Sequence, residues 1–321
     1  MTTDVGVLDR ATYLGSSDIA AILGLSPWKT PVDVYFEKRG QAQPIDAAKQ
    51  KLFNRGKRME PVILDMLSDE YDIDIVARGQ RYRDPEHAWM AAEIDAEAID
   101  IDNGERFNIE AKSVHQFAAG QFGEGGTDQI PIHYAAQCMF GLMVTGRQRC
   151  TVAALVGSDN ISVYHLERDE ETIAGIRSKA IAFWRDHVLT GIPPEPIVLD
   201  DVYRLMRRDA DITAEAPDDI AQHIREFELA KQKAKAESER ADDLKFQIGR
   251  WLLGEVAMDK PTRKPKHVIT YNGAPLLTIG YQEQTRIDTD AIRKRHPEIA
   301  AECSKTTTFF RFDSPRKGKR K

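Results

Sequence analysis

The chain has 321 residues, 41% of them hydrophobic, and a formal net charge of -6. That length supports a real core in one large or two modest domains, and the acidic balance argues against an ordinary basic nucleic-acid binder while leaving room for a local positive channel. With no run of eighteen apolar residues and no basic-plus-apolar leader, a soluble cytoplasmic protein without a membrane partner is expected.

Gly15-Ser16-Ser17-Asp18, followed by an apolar run, reads as a serine-capped short helix ended by Gly24. Thr30-Pro31-Val32-Asp33 supplies a cap, a proline at the first helical position and an acid at the third, so a helix runs to about Lys38 before Gly40. The next helix spans roughly Ala47 to Tyr71. Pro61 within it lacks a donor and clashes with the preceding turn, which predicts a break or kink with Glu60 at the bend. Strands at Ile73 to Gln80, Met90 to Ile99 and Phe107 to Ser113, the last two joined by Asp102-Asn103-Gly104-Glu105, predict an antiparallel meander. The glycine-rich stretch from Phe117 to Asp128 reads as a mobile loop, and Ile132 to Val144 as a helix ended by Thr145-Gly146.

Two further strands, Thr151 to Val156 and Ile161 to Leu166, turn through Gly157-Ser158-Asp159-Asn160, and a helix follows from Asp169 to Val188. Gly191-Ile192-Pro193-Pro194-Glu195-Pro196 is the best boundary, giving domains 1–196 and 197–321. In the second, Pro217 opens a long charged helix to roughly Met258. Val268 to Tyr271, Asn272-Gly273 and Pro275 to Ile279 make a hairpin. Asp288 to Ala300 reads as a terminal helix and Thr306 to Phe312 as an extended segment. Basic patches at Arg263-Lys264-Pro265-Lys266-His267 and at Arg316, Lys317, Lys319, Arg320 and Lys321 are either solvated or available to a partner. Cys138, Cys150 and Cys303 are too widely spaced for a zinc or iron–sulfur site and read as core thiols.

The most informative stretch is Arg106-Phe107-Asn108-Ile109-Glu110-Ala111-Lys112-Ser113. As a strand it places Phe107, Ile109 and Ala111 on one face and Asn108, Glu110 and Lys112 on the other. Asp95 on the neighbouring antiparallel strand would lie within about 5.5 Å of Glu110 between α-carbons, close enough to share a divalent cation. Oxygen ligands suit magnesium or manganese, not zinc, and such a cation polarises a phosphodiester and generates hydroxide. Lys112 is then placed to orient the attacking water or to offset developing charge. Glu93 and Glu97 share the face of Asp95, so spacing alone does not select it; Glu97 reads as a supporting charge or as a water-facing group. His133 and Gln137 fall on one helix face. Gln137 suits a bond to metal-bound water, to Lys112 or to phosphate, or else is a surface amide, while His133 packs near the site. Trp28, Trp89 and Trp184 are core or rim aromatics, with Trp28 beside Lys29 in a position to touch a base.

The order of Leu14-Gly15-Ser16-Ser17-Asp18 through Ser26-Pro27-Trp28, Arg55-Gly56 through Glu60-Pro61, Asp95, Glu110-Ala111-Lys112 and Ala135-Ala136-Gln137 resembles the YqaJ-like viral recombinase family, which includes the phage lambda exonuclease, within the PD-(D/E)xK nuclease superfamily. The resemblance covers about Arg10 to Gly191. It implies an α/β, restriction-endonuclease-like core, with a central mixed sheet flanked by helices, followed here by a C-terminal α+β appendage. Glu60, Asp95, Glu110 and the Ala111 carbonyl would hold Mg²⁺, with Mn²⁺ able to substitute, while Lys112 and Gln137 complete the catalytic set. Arg10 and Ser17 match the pair that grips the 5'-phosphate; on local grounds Ser17 is equally a helix cap and Arg10 a surface residue. The family's activity is digestion of linear duplex DNA from the 5' end, in phage or prophage single-strand-annealing recombination, with an annealing protein as partner and a trimeric ring as the homo-oligomer. An endonuclease or flap nuclease with the same site, or a non-catalytic DNA-binding assembly protein, are the alternatives. Relatives often carry glycine after the aspartate, where Ala96 stands. Arg286-Ile287-Asp288 and Phe309-Phe310-Arg311-Phe312 are similar to patterns in the extension of larger phage-type members.

Overall fold

The structure, a computed structural model, describes residues 10–45, 47–157, 160–206, 213–255, 266–280, 282–306 and 312. The chain divides into two units, Met1–Arg207 and Arg208–Lys321. The first opens with α1 (Ser16–Ile22), α2 (Pro31–Lys38) and α3 (Ala47–Tyr71). Strands β1 (Ile75–Arg83), β2 (Ala91–Ile99) and β3 (Arg106–Val114) follow, then α4 (Ile132–Thr145), β4 (Arg149–Val156), β5 (Asn160–Glu167), α5 (Glu170–Phe183) and α6 (Leu199–Leu205). The five strands pair in the order β1-β2-β3-β4-β5. The first three are antiparallel, as the short turns require. Helix α4 carries the chain across so that β4 runs parallel to β3, and β5 then returns antiparallel. A mixed sheet flanked by helices, with an α+β unit after it, is the expected fold class.

The sheet buries both faces. On one, Phe107 and Ile109 of β3 join Ala96, Ala98, Ala153 and Leu155 beneath Ile63, Leu64 and Leu67 of α3. On the other, Ile94, Val152 and Ala154 pack with Ile19 of α1, Phe140 and Leu142 of α4 and Ile176 of α5. Each large side chain removed from water here contributes about 1.5–3 kcal/mol. Of the break or kink expected at Pro61, the break does not occur: α3 runs unbroken through it. The proline forfeits one hydrogen bond, whereas Ile63, Leu64 and Leu67 just beyond it are nearly inaccessible, so their burial outweighs the local penalty.

Helix α2 starts with the capping box that its sequence predicts. The Thr30 hydroxyl accepts the Asp33 amide at 3.1 Å, and Asp33 accepts the Thr30 amide at 2.8 Å. The cap of α1 differs from expectation. Gly15 rather than a serine occupies it, and the Asp18 carboxylate accepts the Gly15 amide at 3.0 Å. The glycine-rich stretch is tied to the sheet rather than free of it: Gly126 donates to the Val163 carbonyl at 2.7 Å and His165 donates to the Thr127 carbonyl at 3.0 Å. A β-carbon on Gly123 would lie 2.1 Å from the Gln129 side chain, which is why that position takes glycine. Helix α5 passes at its end into a π-helical turn, Trp184–Leu189.

Helix α6 belongs to the first unit, which moves the boundary from Pro196 to Arg207. Asp201 accepts the Thr30 hydroxyl at 2.7 Å, and Arg204 pairs with Asp33. In the second unit, α7 (Asp218–Glu255) precedes the hairpin of β6 (Lys266–Tyr271) and β7 (Ala274–Gly280). Asn272 at φ 50° and Gly273 at φ 79° make its turn. The expected terminal helix is split into α8 (Thr289–Arg295) and α9 (Pro297–Glu302), because Pro297 cannot donate to the preceding turn. The end of the predicted long helix, positions 307–311 of the extended segment, the turn at 158–159, and the basic positions 263–265 and 316–321 lie outside the described residues.

Candidate active site

The site forms where β2 and β3 separate. Their ladder runs from Ile99↔Arg106 to Ala96↔Ile109 and stops. At the next step Asp95 and Glu110 face each other, and the Asp95 carboxylate accepts the Ala111 amide at 2.8 Å in place of a backbone partner. Alternation in β2 also breaks here. Ile94 packs on the α4 side and Ala96 on the α3 side, although they are two residues apart. Opposite this point β1 carries Gly79 at φ 62°.

On β3 the alternation is regular. Ile109 and Ala111 face α3, while Glu110 and Lys112 point toward α4. There Gln137 completes a closed triad. Its amide donates to Glu110 Oε1 at 2.5 Å, and its carbonyl accepts the Lys112 ammonium at 3.2 Å. Lys112 also pairs directly with Glu110. The ammonium stands 4.9 Å from the centre of the Tyr134 ring, a cation–π contact. Burial opposes the charge on Lys112, yet Glu110 and Asp95 more than offset it and raise its pKa above the ordinary lysine value. With both carboxylates free of metal, the ammonium form is the favoured one. Burial, and then the charge of Glu110, push Asp95 well above the usual carboxylate range. The half-buried Glu60, last before Pro61, is raised by burial and then by Glu110 and Glu93.

Glu60, Asp95 and Glu110 thus share one ammonium, a local excess of negative charge that a hard cation would offset. The donors are all oxygen, which fits magnesium or manganese. Among the described residues no group of three potential ligands converges tightly enough to cage a metal by itself. Asp95 and Glu110 are the adjacent pair, so water or substrate oxygens would complete the coordination, as Mg²⁺ commonly requires.

Glu97 neither faces water nor supports the site as a free charge. It is fully buried, bound to Arg147 at 2.8 Å, to Arg106 at 3.3 Å and to the Tyr82 hydroxyl. Arg147 also donates to Asn108 at 2.7 Å, locking the base of β3 to the α4–β4 turn. Glu93 is exposed and pairs with Arg81 at 3.1 Å.

Arg10 and Ser17 are brought together: the guanidinium donates to the Ser17 hydroxyl at 2.9 Å. Beneath them Asp18, fully buried, holds Lys38 at 2.7 Å, Lys29 at 2.8 Å and Arg10 at 3.4 Å. Lys38 in turn donates to the Arg10 carbonyl at 2.8 Å. Burial disfavours the Asp18 charge, but Lys29, Lys38 and Arg10 outweigh it and hold the carboxyl far below the usual range. Burial draws Lys38 below the usual lysine value, outweighing its share of a carboxylate divided among three cations; the contact at 2.7 Å, not that shift, defines the pair. Sequence reasoning missed this hub. The three-residue spacing from Gly15 to Asp18 was its one visible sign, and Lys38 had none. Ser16 lines a small cavity with Glu110, Gln137 and Cys138, so α1 abuts the carboxylates. His133 packs against the rings of Trp28 at 4.8 Å and Tyr134 at 4.2 Å; burial, and then Lys112, lower its pKa. Cys138 and Cys150 are buried free thiols.

Residues 7–148 match the YqaJ-like viral recombinase domain. Over 331 aligned positions the chain is 26% identical to the uncharacterized protein YqaJ of Bacillus subtilis strain 168, covering 97% of this chain and 94% of that protein. Among solved structures it is similar to an alkaline exonuclease of Laribacter hongkongensis, with 19% identity, a TM-score of 0.46, and coverage of 57% of this chain and 91% of that one. It is also similar to a phage-related exonuclease of Haemophilus somnus 129PT, with 12% identity, a TM-score of 0.42, and coverage of 56% and 96%. The YqaJ-like segment contains Glu60, Asp95, Glu110, Lys112 and Gln137, and ends just before β4. Among the described residues no helix is long and apolar enough to cross a membrane.

Proposed function

We propose that this YqaJ-like domain hydrolyses phosphodiester bonds of linear duplex DNA with Mg²⁺ or Mn²⁺, from the 5' end. The observation that carries the reading is the convergence of Glu110, Lys112 and Gln137 across from Asp95, at the point where two strands part. Asp95, Glu110 and the Ala111 carbonyl would hold the cation, with Glu60 at the rim, and the bound ion supplies a Lewis acid and hydroxide at neutral pH.

Lys112, held by Glu110 and Gln137, directs its ammonium at the phosphoryl or water oxygens. Gln137 fixes the rotamers of both Glu110 and Lys112 through its two amide atoms. Arg10, in the turn before α1, and Ser17 on α1 present a guanidinium and a hydroxyl side by side, a pair suited to a terminal phosphate. The same reading includes a ring-shaped homotrimer and a single-strand annealing protein as partner, for which sedimentation and co-purification of the full chain are the tests.

The deciding experiment offers linear duplex labelled at either end, beside a closed circle, with Mg²⁺, to the wild type and to Lys112→Ala. Release of the 5' label first, an intact circle and an inactive variant are expected. Cutting of the circle would make the protein an endonuclease. Full activity in the variant would remove Lys112 from the chemistry.

A further inference from the structure

We propose that Trp28 is a stacking platform for a nucleobase of the strand being cut, adjoining the phosphate that Lys112 faces; this rests on the nuclease reading above. Trp28 is 62% exposed, an unusual position for a large aromatic residue. It meets the His133 ring edge-on at 4.8 Å and lies 6.2 Å from the Tyr134 ring. Tyr134 carries the Lys112 ammonium on its face. It is braced from behind by Phe122 at 6.1 Å, which leans at 5.5 Å on the buried Tyr164. A row of rings therefore runs from the core to a single solvent-facing tryptophan, with the catalytic-type lysine one ring away. The Trp28 amide is held by the Ser26 hydroxyl at 3.2 Å, so its backbone is also anchored.

A ligand that reaches both Lys112 and Trp28 needs an anionic group and a flat apolar ring on a short tether. A nucleotide has that form, with the phosphate for the ammonium and the base for the indole. Every base has a π-face, so the platform would be indifferent to sequence, as a processive or end-directed nuclease needs. Because the ring is already supported, little freedom is lost on binding. The neighbouring Lys29 does not contribute a free charge here: Asp18 and Glu37 hold its ammonium at 2.8 and 2.6 Å. The attraction is stacking rather than a lysine contact.

The test uses the full chain and duplexes carrying 2-aminopurine at each of the three terminal positions in turn, with Ca²⁺ replacing Mg²⁺. The wild type should quench one position, Trp28→Phe should keep most of the quenching, and Trp28→Ala should lose it and bind roughly tenfold more weakly. In Mg²⁺ the alanine variant should raise KM by a similar factor with little change in kcat. Quenching at no position by the wild type, or equal quenching and affinity in Trp28→Ala, would overturn the platform. Failure of the wild type to cut in Mg²⁺ would bring down the nuclease reading separately, since the quenching comparison is made without cleavage.

Discussion

In the unit Met1–Arg207 both faces of a five-stranded sheet are covered, and charged groups such as Asp18, Lys38, Glu97 and Glu110 are buried with partners. Among the described residues of Arg208–Lys321 none is buried. There α7 is laced by exposed pairs such as Lys235–Glu239 at 3.7 Å and Lys245–Asp242 at 2.8 Å, each adding only tenths of a kcal/mol. Helix and hairpin form readily from local propensity and turn chemistry. A site with shifted proton affinities requires water to be excluded, and among the described residues that happens only in the first unit.

The sharpest way to break this contrast is by activity. Lys112→Ala should lower cleavage by at least about 10²-fold, whereas Lys245→Ala on α7 should leave the rate unchanged; end-labelled hydrolysis measures both. Next comes stability. Asp18→Asn strands the buried Lys38 and should cost about 3–5 kcal/mol in urea unfolding, while Asp242→Asn should leave the midpoint in place. The pH dependence has a definite sign. The folded Asp18 carboxyl lies below its unfolded value of about 3.9. Its contribution is therefore complete above that value and is lost as pH falls toward the folded one. Wild type should lose stability more steeply than Asp18→Asn in acid titrations below about pH 4.

A smaller effect tests the boundary. A chain stopped after Arg207 should retain the melting point of the first unit. A stop after Pro196 removes the Asp201–Thr30 and Arg204–Asp33 contacts and should lose about 1–3 kcal/mol. The smallest effect belongs to Asn272→Ala, which places an ordinary side chain at φ 50° and should loosen the hairpin by about 1 kcal/mol, read as faster amide exchange in β6 and β7 alone.

Much of this was legible because it is local. The period-two pattern around Glu110 placed Lys112 beside it, the Thr30–Asp33 capping box started α2, and Asn272-Gly273 turned the hairpin. Pro61 did not end α3 because a local penalty met a packed core. Glu97 misled because its partners, Arg147 and Tyr82, come from distant segments. Helix α6 escaped notice for the same reason: its ties run to Thr30 and Asp33, far back in the chain.

By itself the sequence determined which residue types could do the chemistry, the direction in which Glu110 and Lys112 project from β3, and most helix ends, since those depend on alternation, caps and breakers within a few residues. The tertiary structure decided which acids meet. The parting of β2 and β3 selects Asp95 over Glu93 and Glu97; α4 brings Gln137 to Glu110; Asp18 gathers Arg10 beside Ser17. Such choices depend on contacts between segments far apart in sequence, and on a low-dielectric interior that gives each charge its weight only once the chain has closed around it.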